Sequence, residues 1–356
     1  MKKREETIYG SSFKEEKQNE LLLLSEYPEC CNRSIGTDFD ASGLFIQWLE
    51  EDVSIRVKPS TYEAYYYCVY TYILPFFCAH SLSEPHIRQF VKTIRNHPML
   101  AESSRRKILT IFRIALKDRQ VTKTEFNCFT LPKVSAVEVP VLSVREQRAL
   151  EKVARECRDY RALGALLSLY TGIRLGELCA LRWKDLDLDA GTLDIHATVM
   201  RTKNFDEGAN KTKLIVGTPK SSSSVRKLPL PDFLIKLLKP VCRNRKGTSF
   251  FLSDHDAPAD PRTFQRFYKK LLQDAGIAEH RFHVVRHTFA TRALEVGVDI
   301  KTLSELLGHS SATITLKIYA HSLMEQKKIA IGLPLFHLVS PCFCLESSPC
   351  LQGGMF

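Results

Sequence analysis

The sequence lacks the features that would place the protein in a membrane or outside the cell. No apolar signal segment follows the basic start, and the leucine run at residues 21–24 is far too short to span a bilayer. The 11 cysteines are an odd number and form no Cys-x-x-Cys pair. Because disulfides are rare in the cytosol, we expect reduced thiols in a cytoplasmic protein with no membrane partner.

Motifs for metal and nucleotide chemistry are also missing. The three cysteines within residues 333–356 lack zinc-finger spacing and histidine partners. His283 and His287 stand four residues apart, but Val284 occupies the position where a zinc protease needs glutamate. No phosphate-cradling Gly-x-x-x-x-Gly-Lys loop occurs. We therefore expect neither a metal nor another cofactor.

The charge balance is basic. Lys and Arg number 51 against 40 Asp and Glu, which gives a net charge of +11. Such an excess suits a polyanionic partner, because a Lys or Arg set against a phosphate releases a condensed counterion. The excess lies outside residues 1–38, which carry six positive and eight negative side chains. Charge alone argues only weakly for DNA, since many basic proteins use charge for solubility.

Apolar periodicity predicts four short helices after a polar, aperiodic leader at residues 1–38. The first carries Phe45 and Trp48 on one face, and Pro59 opens the second, which we expect to end at Pro75. The third begins at Ser83 and the fourth at Ser103. We interpret residues 39–124 as a small all-α domain.

A linker precedes the second domain. Residues 125–142 lose the helical period and contain two prolines. Ser143 and Glu146 then form the pattern of a capping box, which predicts a helix start. Gly172 is a plausible end for the helices that follow.

The second domain, residues 143–332, is predicted to be mostly helical with a small antiparallel β-sheet. Residues 192–196 and 225–230 have the alternation of strands, and helical patterns return as far as about residue 331. The fold class is therefore mainly α. Residues 333–356 form an atypical tail with no assigned role.

Two segments of the second domain carry cations suited to phosphate. Arg174 follows a glycine turn, and Glu177 lies one helical turn further, where its carboxylate could hold the guanidinium toward a phosphate. Lys220 follows at the tip of a predicted β-hairpin. The alternatives are an ordinary surface ion pair and a solvated turn.

Two later segments complete the set. His283 and Arg286 are three residues apart and share a helical face. His309 and Tyr319 follow, although a single tyrosine is more often a core residue. Together the two arginines, two histidines, lysine and tyrosine could stabilise a phosphoryl transition state by cationic hydrogen bonds alone.

These residues resemble the tyrosine recombinase, or phage integrase, family over about residues 40–327. The flanks Thr-Gly-Ile-Arg-Leu-Gly-Glu-Leu, Leu-Gly-His-Ser-Ser and Tyr-Ala-His agree with the family, whereas Val284 departs from its usual acidic residue. The family order is Arg, Lys, His-x-x-Arg, His or Trp, then Tyr. Here it is Arg174, Lys220, His283-x-x-Arg286, His309 and Tyr319.

The resemblance implies a site-specific DNA recombinase that integrates or excises a mobile element, or resolves multimers, without metal or ATP. Tyr319 would attack the phosphate and form a 3′-phosphotyrosyl link. Of the other residues, Arg174 and Arg286 would clamp the non-bridging oxygens, Lys220 would protonate the leaving oxygen, His283 would transfer a proton, His309 would donate a hydrogen bond and Glu177 would support Arg174.

The resemblance also implies the partners. The N-terminal helices would be a core-binding domain that clamps duplex DNA at specific core sites, within a homotetramer built from dimers and aided by accessory factors. A non-cleaving DNA-binding regulator and a type IB topoisomerase are the alternatives. Candidate phosphate contacts, whose alternative is a solvated helix face, are Lys58, Arg105, Arg106, Lys107 and Arg113.

Overall fold

A computed structural model of the protein describes residues 41–119, 129–134, 140–205, 210–219, 222–316 and 318–319. The predicted leader and tail lie outside the described residues. Contacts divide the chain into an N-terminal unit, Met1–Glu138 with Arg201–Lys213, and a C-terminal unit, Val139–Met200 with Leu214–Phe356. The domain boundaries predicted from the sequence place residues 201–213 in the second domain, whereas contacts group Arg201–Lys213 with the N-terminal unit. No helix within the described ranges is long and apolar enough to cross a membrane.

The N-terminal unit is helical. Its helices are α1 (Ala41–Gln47), a π-helical turn (Trp48–Val53), α2 (Ser54–Arg56), α3 (Pro59–Cys68), a second π-helical turn (Val69–Ile73), α4 (Leu74–Phe77), α5 (Glu84–Arg95) and α6 (Glu102–Asp118). Four aromatic side chains centre its core, with 4.7 Å between the ring centroids of Phe90 and Phe112 and 5.4 Å between those of Phe77 and Phe112. Each fully buried ring of this kind contributes about 1.5–3 kcal/mol. The fourth ring is that of Phe45.

The prediction that the second helix ends at Pro75 is wrong. The helix widens into the π turn at Val69–Ile73, and Pro75 lies near the start of α4. Proline has no N–H and its ring would clash with a carbonyl in a regular α-helix. We attribute the continuation to the π turn, which shifts the hydrogen-bond register just before the proline. Beyond it, the Cys78 N–H donates to the Leu74 carbonyl at 2.8 Å.

The C-terminal unit surrounds one buried helix. Its helices are α7 (Val144–Glu156), α8 (Ala162–Thr171), α9 (Leu175–Ala180), α10 (Asp232–Cys242), α11 (Pro261–Asp274), α12 (His283–Glu295) and α13 (Ile300–Leu307). All of α8 except Tyr170 is buried. The capping box at α7 is confirmed, since the Ser143 N–H donates to Glu146 Oε2 at 2.8 Å. Gly172 ends α8 with a φ of +66°, as predicted.

The strands form two small sheets. They are β1 (Leu186–Asp187), β2 (Thr192–Ile195), β3 (Thr198–Lys203), β4 (Thr212–Gly217) and β5 (Arg226–Pro229). An antiparallel sheet has the order β1-β2-β5, and β3 pairs with β4. The strands on either side of Lys220, β4 and β5, therefore lie in different sheets. The prediction of a hairpin that joins these two strands is wrong, because β5 pairs with β2. Lys220, predicted at the tip of that hairpin, lies outside the described residues.

Candidate active site

Arg174 lies in the short turn between the buried helix α8 and α9. The left-handed Gly172 ends α8, and Arg174 caps α9 with an extended backbone. Its N–H donates to Glu177 Oε2 at 2.9 Å, and its Nη1 donates to Glu177 Oε1 at 2.7 Å. One carboxylate thus fixes both the backbone and the side chain of Arg174, and the Arg174 side chain stays about one-third exposed.

Glu177 also binds a second arginine. Arg226 Nη2 lies 3.0 Å from Glu177 Oε2, and both side chains are buried. Burial by itself raises the pKa of Glu177, but the charges of Arg226 and Arg174 and their hydrogen bonds outweigh it, so the pKa is lowered. Glu177 therefore stays ionised at neutral pH. Arg226 is not among the site residues predicted from the sequence.

The C-terminal end of α13 gathers three arginines. Its last carbonyls have no partner within the helix and carry the negative end of the helix dipole. Guanidinium groups from three distant segments donate to them. The pairs are Arg226 Nε with the Leu306 carbonyl at 2.7 Å, Arg286 Nη2 with the Leu307 carbonyl at 2.7 Å, and Arg174 Nη2 with the Gly308 carbonyl at 3.2 Å.

Arg286 is the most buried of the three arginines, with 3% of its surface exposed. It projects from α12, and its Nη1 donates to the Gly172 carbonyl at 2.7 Å. Burial, reinforced by the charge of Arg174, lowers the pKa of Arg286 to about 9, so the group is still charged at neutral pH. Arg286 thus binds the turn 172–174, from which the side chain of Arg174 extends.

His309 stands immediately after these carbonyls. Its Nε2 lies 2.9 Å from Arg286 Nη2, and its Nδ1 lies 2.8 Å from Thr315 Oγ1. An arginine can only donate, so Nε2 accepts and the ring proton of a neutral His309 is on Nδ1. Burial and the charges of Arg286 and Arg174 lower the pKa of His309 to about 4. In this state Nε2 has no proton to offer to a phosphate.

Tyr319 lies in the same unit, with 3% of its surface exposed. Its hydroxyl oxygen is 2.9 Å from Nδ1 of His287. Burial raises the pKa of Tyr319 to about 12, although the charges of Arg286 and Arg174 act in the opposite direction. The phenol therefore carries its proton at neutral pH and lies within the electrostatic reach of both arginines.

His283, the histidine predicted to assist Tyr319, lies one turn before His287. The two rings are perpendicular, with 4.6 Å between their centroids. Burial, with the charges of Arg286 and Arg174, lowers the pKa of His283. The imidazole that meets the phenol is thus that of His287, which sequence reasoning considered only as a zinc ligand. Within the described ranges, no three His, Cys, Asp or Glu side chains come together as a metal site requires.

The predicted DNA contacts of the N-terminal unit have varied surroundings. The three arginines among these predicted contacts each donate to a backbone carbonyl: Arg105 to His97 at 2.7 Å, Arg106 to Pro132 at 2.5 Å and Arg113 to Phe129 at 2.7 Å. Lys58 and Lys107 are exposed. The arginines thus hold the fold of this unit, and a phosphate would compete with those bonds. Phosphate binding by the five residues stays a prediction.

The family model described as "Phage integrase family" matches residues 142–326. The chain belongs to the phage integrase family. The resemblance proposed from the motifs is confirmed, and so is the mainly helical fold with its small antiparallel sheet. Site roles within this family member remain predictions, that of Lys220 among them.

Two curated relatives each match about half of this integrase-family chain. It is 36% identical over 200 residues to a protein named "Tyrosine recombinase XerC-like" from Caldanaerobacter subterraneus subsp. tengcongensis, covering 51% of each chain. It is 28% identical over 173 residues to the "ICEBs1 integrase" of Bacillus subtilis, covering 46% of this chain and 45% of that one. The chain spans about half the length of these relatives.

Solved structures share the fold over a greater length. The Tn1549 transposon integrase, solved in complex with a circular intermediate DNA, superposes with a TM-score of 0.63 at 20% identity, covering 82% of this chain and all of that one. A lambda integrase dimer bound to a core site gives a TM-score of 0.56 at 17% identity, covering 78% and 76%. At these identities the likeness establishes the fold.

Proposed function

We propose that the protein is a site-specific DNA recombinase that cuts and rejoins strands through a 3′-phosphotyrosyl link to Tyr319. One observation carries the proposal. The buried phenol of Tyr319 lies where the charges of Arg286 and Arg174 act on it, and Arg286 also contacts His309. Such a set supplies a nucleophile and positive hydrogen-bond donors for a phosphate, without a metal.

In this mechanism the Tyr319 oxygen bonds to phosphorus and the bond to the 5′-oxygen breaks. Arg174 and Arg286 bind the non-bridging oxygens, where negative charge is held in the transition state. Loss of one such donor should slow cleavage about 10²- to 10³-fold. Lys220 gives the leaving oxygen its proton. Because the covalent link preserves the phosphodiester energy, a second 5′-hydroxyl can reverse the reaction without ATP.

His309 acts as a phosphate donor only after it changes state. Arg286 now points a donor at its Nε2, which therefore lacks a proton. A phosphate brings negative charge, which favours the imidazolium. We propose that His309 gains a proton as DNA binds, and that Glu177 keeps Arg174 in place throughout.

The proposed substrate is double-stranded DNA with specific core sites at the ends of a mobile element. The transposon and phage integrases that share the fold were solved with DNA, one of them as a tetramer on a Holliday junction. By this analogy the active form is a homotetramer built from dimers, aided by accessory bending or directionality factors. The core-binding role of residues 39–124 and the cytoplasmic location belong to the same proposal.

A nicked suicide substrate tests the function. The nick lets a short strand diffuse away after cleavage, so the wild-type protein should accumulate as a covalent adduct that migrates slowly in a denaturing gel. Tyr319→Phe should bind the same duplex with unchanged affinity and give no adduct. An adduct with the Phe variant would overturn the choice of nucleophile. Binding with no adduct from the wild-type protein would favour the non-cleaving regulator, and relaxed plasmid without exchanged strands would favour the topoisomerase.

A further inference from the structure

His287 contacts the phenol that the proposed function makes the nucleophile. Helix α12 places it one turn after His283 and next to Arg286. Its Nδ1 lies 2.9 Å from the Tyr319 hydroxyl oxygen, and the two ring centroids are 5.8 Å apart. The contact joins residues 32 positions apart in the chain, so it arises from the tertiary fold of the C-terminal unit.

The protonation states of the pair are complementary. The pKa of Tyr319 is raised to about 12, so the hydroxyl must lose a proton during attack. Burial and the charges of His283, Arg286 and His309 lower the pKa of His287 to about 4, so its imidazole is neutral. A neutral imidazole with its proton on Nε2 has a lone pair on Nδ1, where the phenol can donate.

Bound DNA would make this neutral imidazole a stronger base. The groups that lower the pKa of His287 are cationic or can become so, and a phosphodiester next to Arg286 and His309 brings a compensating negative charge. The free protein therefore keeps His287 uncharged, and the phosphate in the complex raises its pKa, so that the imidazole accepts a proton more readily. The base gains strength when the substrate arrives.

We propose that His287 is the catalytic base that takes the proton of Tyr319 as the phenol oxygen attacks the scissile phosphorus. This assignment rests on the proposed function and refines it. The Tyr319 O–P bond forms as the hydroxyl proton moves to Nδ1 of His287. The P–O5′ bond breaks as Lys220 gives a proton to the leaving 5′-oxygen. In rejoining, the same imidazolium returns the proton to the departing phenolate. In this assignment His283 does not take the proton itself, and it affects the phenol through its contact with the ring of His287.

Two substitutions separate a base from a mere hydrogen-bond partner. In His287→Asn the side-chain carbonyl takes the position of Nδ1 and can accept the hydrogen bond, but it cannot take up the proton. His287→Ala removes both functions. The measurement is the single-turnover rate of adduct formation on the nicked duplex, from pH 6 to pH 10. Thermal melting and duplex binding establish that each variant is folded.

If His287 is the base, both variants should form the adduct about 100-fold more slowly at pH 7, the lower end for a lost general base. Their rates should rise with pH, as hydroxide replaces the missing group. A rate for His287→Asn within about threefold of the wild-type rate would overturn the proposal and leave only a positioning contact. A wild-type or faster rate for His287→Ala would overturn it as well.

A substrate with sulfur in place of the bridging 5′-oxygen tests on which side of the phosphorus His287 acts. A thiolate leaves without a proton, so this substrate should restore the rate of Lys220→Ala. It should leave the His287 variants slow, because they fail on the nucleophile's side. Rescue of His287→Asn by sulfur would overturn the assignment. If wild-type protein forms no adduct, or Tyr319→Phe forms one, the proposed function itself fails, and this outcome is distinct from all of the above.

Discussion

Arg226 and Glu177 form an ion pair closed off from solvent, with 3.0 Å between Nη2 and Oε2 and side-chain exposures of 7% and 3%. The same carboxylate holds Arg174 at 2.7 Å. The pair therefore connects strand β5 to the turn that contains Arg174. Glu177 thus holds both arginines, together with the carbonyls of Leu306 and Gly308.

Removing one side of this pair should cost much of the stability of the C-terminal unit. We expect Arg226→Met to lower the free energy of unfolding by about 3 kcal/mol, because a buried carboxylate loses the more buried of its two arginine partners. Lys239→Met is the matched control. It removes the exposed pair with Asp189, whose side chain is 97% exposed, and should cost less than about 1 kcal/mol. Urea unfolding measures both, and equal losses would contradict a special role for the buried pair.

Acid should remove the contribution of Glu177. Its pKa is lower in the folded protein than the usual value of about 4.3 for an unfolded glutamate. A carboxylate of this kind stabilises the fold fully above the unfolded pKa, and the stabilisation is lost as the pH falls through the folded pKa. We expect the unfolding free energy of the wild-type protein to fall below about pH 4.3 more steeply than that of Glu177→Gln. Parallel curves in urea titrations from pH 7 to pH 3 would contradict this.

Local patterns predicted much of the fold and of the site, and failed where contacts come from distant segments. The Ser143 capping box and the Gly172 stop depend on neighbours within a few residues, and both are present. His287 has the same local setting as His283, and only the tertiary position of Tyr319 distinguishes them.

Two other features were not predicted from the sequence. Nothing local indicates that Pro75 follows a π turn, or that the carbonyls of residues 306–308 receive three guanidinium groups. Arg174 and Gly308 are 134 positions apart. Helix-end carbonyls are predictable acceptors from sequence, whereas their donors are known only once the chain has folded.

DNA binding should be accompanied by proton uptake at His309. Its pKa of about 4 in the free protein keeps it neutral at pH 5.5, and a bound phosphate should raise that pKa. Calorimetric titration with a core-site duplex at pH 5.5, repeated in buffers of different ionisation enthalpy, measures the number of protons taken up. We expect His309→Asn to take up fewer protons than the wild-type protein, by at most one. Equal uptake would show that His309 stays neutral in the complex.

A side chain at Gly172 should destabilise the protein through steric overlap with its neighbours, in addition to the strain of its positive φ. Its φ of +66° is matched by the +68° of Gly276, so alanine meets similar backbone strain at both positions. A Cβ at Gly276 meets no atom within 4 Å, whereas one at Gly172 would overlap the ring of Phe289 and lie 2.9 Å from Leu307.

We therefore expect Gly172→Ala to cost about 1–3 kcal/mol more than Gly276→Ala, which is the usual cost of overpacking a core. The Gly172 carbonyl accepts from Arg286, so the displaced turn should also slow adduct formation, while Gly276→Ala should react at the wild-type rate. Urea unfolding and the suicide-substrate assay on the same two variants test both parts. Equal destabilisation would mean that the turn yields without disturbing Phe289, and normal cleavage by Gly172→Ala would mean that Arg286 does not depend on this carbonyl for its position.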